Sequence, residues 1–251
     1  MTKSKLLMSM SMMVFCYNVG YNMLESVYKA GIKAASKSLK FEIGDYSIKF
    51  NTYDQYIVSV MVIILNLSAF SEIIETYGWI KMGLITPLLM LLGSIVLIIA
   101  ALYNSSLEKL AFPWISKFFK GSNFIYTLEN YAGMIFLAFF KIMKYSAFDI
   151  CKEKMGIRID PAHRARFKSV YDGIFNKLGK SIGSLYGLGV LVALDTDNVR
   201  KGAPFTLGFL IALIYIWIRS VVYLARSYDR AIKTNCTVDI DLLKADKESV
   251  K

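Results

Sequence analysis

Apolar residues in this chain come in blocks rather than being spread along it. Met82 to Tyr103 runs 22 residues without a charge, and Pro204 to Ile218 runs 15. A bilayer core of about 30 Å is crossed by roughly 20 apolar residues of helix. The first block therefore predicts a span by itself, and the second becomes one by continuing through Arg219 to Leu224. Gln55 to Ile74 is a third strong candidate. Three other segments are equivocal. Leu6 to Leu24 is long enough but is interrupted by Ser9, Ser11, Asn18 and Asn22. Tyr131 to Ile150 carries Lys141 and Lys144 near its middle, where each costs about 2.5–3.5 kcal/mol on an insertion scale. Ile182 to Leu194 has only 13 residues, which is short for a span.

A different period marks the segment before it. Phe167, Val170, Tyr171, Ile174, Phe175, Leu178 and Ile182 recur at spacings of three and four, with Arg166, Lys168, Lys177 and Lys180 between them. That is one apolar stripe on a basic helix, suited to a membrane interface or to packing on the protein itself. The stripe runs into "GKSIGSLYG", which sets Gly179, Gly183 and Gly187 four residues apart on one helical face, a glycine zipper. Small residues let helices approach closely where no water drives them together. The glycines therefore predict helix packing, either within the chain or with another subunit, and a single helix that leaves the interface near Lys177 and enters the bilayer.

Composition supports this membrane reading. Of 251 residues 55% are hydrophobic and 20% charged, against about a quarter charged in soluble domains. The net charge of +11 would suggest nucleic acid in a soluble protein, but no recognition motif is present, and basic residues beside spans set topology and meet anionic headgroups. Placing 55–74 with 82–103 in one hairpin and about 175–194 with 204–224 in another leaves 26 of the 30 Lys and Arg on one side. A six-span arrangement that adds 6–24 and 131–150 divides them 17 to 10. Letting only 6–24 cross moves just Lys3 and Lys5. The basic start and apolar run at the N-terminus lack a small-x-small cleavage pattern and read as retained.

The fold expected is all-α: a multi-pass integral membrane protein with two transmembrane hairpins, interfacial amphipathic helices and four to six spans. Its parts are an N-terminal apolar segment and basic linker (1–54), a first hairpin (55–103), a basic amphipathic middle region (104–181), a second hairpin (182–224) and a charged tail (225–251). The basic loops and the C-terminus are expected on the cytoplasmic or equivalent side.

Candidate chemistry is sparse. The three cysteines are far apart, the one histidine, His163, has no partner for a metal pair, and no nucleotide loop or nucleophile elbow occurs. No catalytic, cofactor-binding or metal-ligating residue is assigned, and no enzyme activity is expected. Arg164, Arg166, Lys168, Lys177, Arg226 and Arg230 are expected to meet lipid headgroups. Asn66, Glu72 and Arg219 are the candidates for a polar path, because polar groups inside a membrane mark functional sites by default. The functional expectation is a non-catalytic structural, assembly or membrane-shaping subunit. Its partners would be the anionic bilayer surface and other membrane subunits or further copies of the chain. The alternative is an oligomeric channel or pore.

Overall fold

A computed structural model of the chain describes residues 4–67, 77–105 and 122–238, and every regular element among them is helical. These residues form six long rods. They are α1 (Lys5–Leu39), α2 (Ile43–Leu67) and α3 (Trp79–Ser105); then α4 (Ser122–Met143), which continues through a π-helical turn (Lys144–Phe148) into Asp149–Ile157. The fifth, α5, begins as Pro161–Lys168, passes a second π turn (Ser169–Phe175) and ends as Asn176–Ala193. A 3₁₀ turn (Val199–Gly202) leads into α6 (Ala203–Thr234).

Polar contacts show that the rods alternate in direction. At one end, called the near end, the Trp79 Nε1–H donates to Cys151 O at 3.0 Å, Lys5 lies over the Tyr223 ring, and Val238 N donates to Arg158 O at 2.8 Å. At the far end Asn104 of α3 and Arg200 ahead of α6 both reach Glu129 at the start of α4, and Asn130 donates to Tyr46 on α2.

The centre of the bundle is α1, which touches all five other rods and has buried residues from Leu6 to Ser36. Ser4 caps it, its Oγ accepting from Leu7 N, and Lys40 ends it in the left-handed region at φ 58°. At 1.5 Å per residue it is about 52 Å long, more than a bilayer core requires. Two of the polar residues that made 6–24 equivocal, Asn18 and Asn22, are satisfied by their own helix, as is Ser26 beyond them. Asn18 donates to Val14 O, Asn22 to Asn18 O and Ser26 to Asn22 O, each at 2.8 Å. Bonded in this way, they lie flat enough for α5 to come close. A Cβ on Gly179 would sit 2.9 Å from Phe15 O, and one on Gly183 2.7 Å from Asn22 Cβ. Gly187 is also buried, with Ser26 Oγ 3.9 Å from its Cβ position. The glycine face is therefore an internal contact between α5 and α1.

The π turn in α5 explains which side of the stripe faces inward. Its i→i+5 bonding unwinds the helix locally, so residues four apart stay on one face. Phe167, Tyr171, Gly179 and Gly183 are buried, whereas Ile174 and Leu178 point outward.

Large apolar side chains cover much of the exterior, including Ile57, Val60, Ile63 and Ile64 of α2, Leu185, Leu188 and Val192 of α5, and Phe205, Phe209 and Ile211 of α6. A water-soluble surface rarely shows apolar area on this scale; in a bilayer it faces lipid. Trp79–Asn104 and Val199–Thr234 are long and apolar enough to cross a membrane by composition alone. The chain is an all-helical, multi-pass membrane protein.

Candidate functional site

Charge inside a membrane bundle is costly and so draws attention to the places that carry it. Among the described residues it is concentrated in three layers. The far layer is the most enclosed. Glu129 and Arg200 are 3% and 1% exposed, with Arg200 Nη2 donating to Glu129 Oε2 at 2.6 Å and Asn104 Nδ2 donating to the same oxygen. Gly31 of α1 makes room for the carboxylate: a Cβ there would stand 2.8 Å from Glu129 Oε1. One acceptor thus ties α3, α4 and the entry to α6 together against α1.

The near layer joins α4 to α5. Lys152 is largely buried and donates to Asp149 at 2.9 Å and to Asp172 at 2.8 Å. A single ammonium between two carboxylates locks the π turn of α5 against the end of α4.

The middle layer has a different character because it opens to one side. Asp54 of α2, 8% exposed, pairs with Lys141 of α4, and its Oδ1 has no hydrogen-bond partner. Beside this pair α1 presents Tyr21, and Glu25 and Lys29 follow it at four-residue steps on the same helical face. Tyr21 stacks on Tyr17 and lies within electrostatic reach of Glu25, Asp54 and Tyr145. Glu25 pairs with Lys29 at 3.1 Å, and the Lys29 side chain is 65% exposed. Lys144 and Tyr145 on the π turn of α4 extend the seam, the ammonium standing 4.6 Å from the ring centroid. π turns inside helices occur often at functional sites. This one reorients α4 within four residues of Lys141. The seam therefore brings Lys141, two carboxylates and tyrosine rings together from α1, α2 and α4, with Lys29 paired to Glu25 and Lys144 beside Tyr145. Such a set can bind a polyanion through exchangeable ion pairs and hold a flat ring against the tyrosines.

The residues proposed from sequence for a polar path do not form this seam. Asn66 is exposed at the end of α2, Arg219 is exposed on α6 against Tyr215, and Glu72 lies outside the described residues. Those proposed for the lipid interface are spread out. Arg164 donates to Ile157 O and Ile159 O and closes the turn before α5, and Lys168 pairs with Glu153 at 2.9 Å. Arg166, Lys177, Arg226 and Arg230 are exposed. His163 is exposed beside Phe167. No group of three or more His, Cys, Asp or Glu suited to a metal ion occurs among the described residues.

Sequence reasoning missed Asp54, Glu129 and Arg200 as site residues. Lys141 and Lys144 were visible, but only as an objection to a span. The available signal was that a lysine retained at the centre of an apolar segment calls for a carboxylate on another segment.

A family model described as TLC ATP/ADP transporter matches residues 1–228. The ADP,ATP carrier protein 1 of Encephalitozoon cuniculi (strain GB-M1) is 51% identical over 251 residues, all of this chain and 45% of that carrier. The ADP,ATP carrier protein 1 of Paranosema grylli is 34% identical over 248 residues, 98% of this chain and 44% of that carrier. A plastidic ATP/ADP-transporter of Solanum tuberosum is 26% identical over 218 residues, 87% of this chain and 32% of that transporter. The chain thus spans less than half the length of these relatives. No solved structure matches it.

Proposed function

The chain belongs to the TLC ATP/ADP transporter family, and on that premise we propose that its bundle carries adenine nucleotides across a membrane, with the α1–α2–α4 seam holding their phosphates. Membership overturns both functions expected from the sequence, the structural or assembly subunit and the oligomeric channel, because the family is one of transporters and the relatives are named as carriers. Those names also speak for transport rather than enzyme chemistry.

The observation that carries the proposal is the Asp54–Lys141 pair midway along the bundle, on a seam that also holds Glu25–Lys29. A permanent counter-ion keeps Lys141 charged and in place at low cost. An arriving phosphate oxygen then shares the ammonium with Asp54, so binding adds an acceptor to a lysine already charged and in place instead of desolvating a bare one. Lys29 and Lys144 supply further charge for a chain of phosphates, and Tyr21 and Tyr145 offer ring faces to the adenine. The enclosed Glu129–Arg200 and Lys152 layers hold the rods in place above and below.

The near end carries Lys5, Lys154, Arg158, Arg164, Arg166, Arg226, Arg230 and Lys233 together with both described termini. This density of basic residues supports placing that end on the cytoplasmic or equivalent side.

The test is uptake of labelled ATP by liposomes that contain the purified protein and are loaded with ADP. The wild type exchanges the two nucleotides. Lys141→Ala raises KM for ATP at least about tenfold, the loss of one charge-assisted contact of about 1.5–3 kcal/mol, and Lys141→Arg recovers much of it. Exchange by Lys141→Ala with an unchanged KM would remove the seam from the mechanism.

A further inference from the structure

We propose that the near end of the bundle carries a binding site for one anionic membrane phospholipid, built where α1 begins and α6 ends. A cavity of about 490 Å³ there is lined by Lys5 and by Tyr223, Arg226, Ser227 and Arg230 of α6. Three cations meet in it, and no Asp or Glu is among its walls. The acid of this stretch, Asp229, lines a neighbouring depression that shares Arg226 and Arg230 with the cavity. The Lys5 ammonium is held 4.7 Å from the centroid of the Tyr223 ring, which fixes the long side chain at the cavity. Arg226 and Arg230, one turn apart, take part in no ion pair among the described residues. Three cations around one cavity, none of them in an ion pair among the described residues, are complementary to a phosphate-bearing ligand.

The shape of the surface selects a lipid. A second cavity of about 690 Å³ shares Lys5, Tyr223 and Arg226 with the first and continues along the outer face of α6 past Arg219 and Ser220 to Tyr215, Ile216 and Val222. It leads from the basic helix end towards the apolar middle of the span. Cations run along this groove as far as Arg219, whose guanidinium lies over the Tyr215 ring, and Tyr215, Ile216 and Val222 give it an apolar wall; a headgroup with the first part of an acyl chain matches both, whereas a soluble phosphate would use only the cations. Basic recesses between spans are a general mode of headgroup recognition. The site lies outside the nucleotide seam, and its test does not depend on transport.

The experiment titrates purified protein in neutral detergent with phosphatidylglycerol and, separately, phosphatidylcholine, and counts bound lipid by native mass spectrometry. One phosphatidylglycerol binds in preference to phosphatidylcholine. Each cation contributes about fivefold in affinity, so Lys5→Gln/Arg226→Gln/Arg230→Gln weakens binding about a hundredfold and Arg230→Gln alone about fivefold. The single variant keeps the test decisive if the triple variant folds poorly. Arg166→Gln/Lys177→Gln, which removes exposed cations outside the cavity, leaves the affinity within about twofold of wild type. Equal losses in the two multiple variants would show diffuse surface charge and overturn the site. Wild-type binding in the triple variant would do the same. If inorganic pyrophosphate binds the cavity and phosphatidylglycerol has no advantage over phosphatidylcholine, the ligand is a soluble phosphate and the lipid proposal fails.

Discussion

Arg200→Met isolates the most enclosed charge in the bundle. The native guanidinium is 1% exposed and donates at 2.6 Å to a carboxylate that is itself 3% exposed. Methionine keeps most of the aliphatic stem and removes only the charge and the donors. Glu129 is then left with the Asn104 amide as its partner, while its Oε1 already lacks one. Breaking one side of a buried pair costs about 3–5 kcal/mol, because the remaining charge stays out of water without compensation. The thermal unfolding midpoint in detergent should fall by on the order of 10 °C. The double variant Glu129→Gln/Arg200→Met removes both charges and still offers Asn104 an acceptor, so most of the loss should be recovered. A single variant that unfolds within about 2 °C of wild type would show that the pair is hydrated in the protein, contrary to its burial. A double variant as unstable as the single one would show that the guanidinium acts by filling space and not by its charge.

Five further variants test the geometry. Gly183→Leu should separate α5 from α1, since its Cβ alone would meet Asn22 Cβ at 2.7 Å and Val19 O at 3.2 Å, a cost of about 1–3 kcal/mol or more. Gly189→Leu, with nothing within 4 Å of its Cβ position, should leave the unfolding midpoint nearly unchanged. Trp79→Phe removes the donor to Cys151 O and should lower stability by about 1 kcal/mol in the same assay, and Lys152→Met should lower it further by leaving Asp149 and Asp172 facing each other. Asn66→Ala, at an exposed helix end, should leave ATP uptake within about twofold of wild type.

The elements most legible in the sequence were those whose surroundings are simplest. Met82 to Tyr103 lies within α3 and Pro204 to Leu224 within α6, because a long uncharged run has few alternatives to crossing a bilayer. The four-residue glycine spacing could not name a partner helix, since the flatness of α1 opposite it comes from Asn18, Asn22 and Ser26 bonding to their own backbone. In a hydropathy scan those three residues count against a span, although in the bundle they lie on the central helix. Charge was misleading for a related reason. Lys141 appears expensive until Asp54 is brought beside it, and Asp54 falls one residue before the segment that its hydropathy marks out. Arg200 looks like an ordinary turn residue because its neighbours are polar, yet the turn folds it inward onto a carboxylate 71 positions away. Pairings between segments decide what each charge costs, and a pattern read along one segment does not contain them.

The central claim, that the seam around Lys141 holds nucleotide phosphates, is tested most directly by comparing the binding of adenosine, AMP, ADP and ATP to wild-type protein and to Lys141→Ala. In the wild type, affinity should rise with the number of phosphates. Lys141→Ala should flatten that rise, losing at least about tenfold for ATP and ADP while adenosine binding stays the same. Equal losses for adenosine and ATP, or an unchanged rise from AMP to ATP in the variant, would contradict the account.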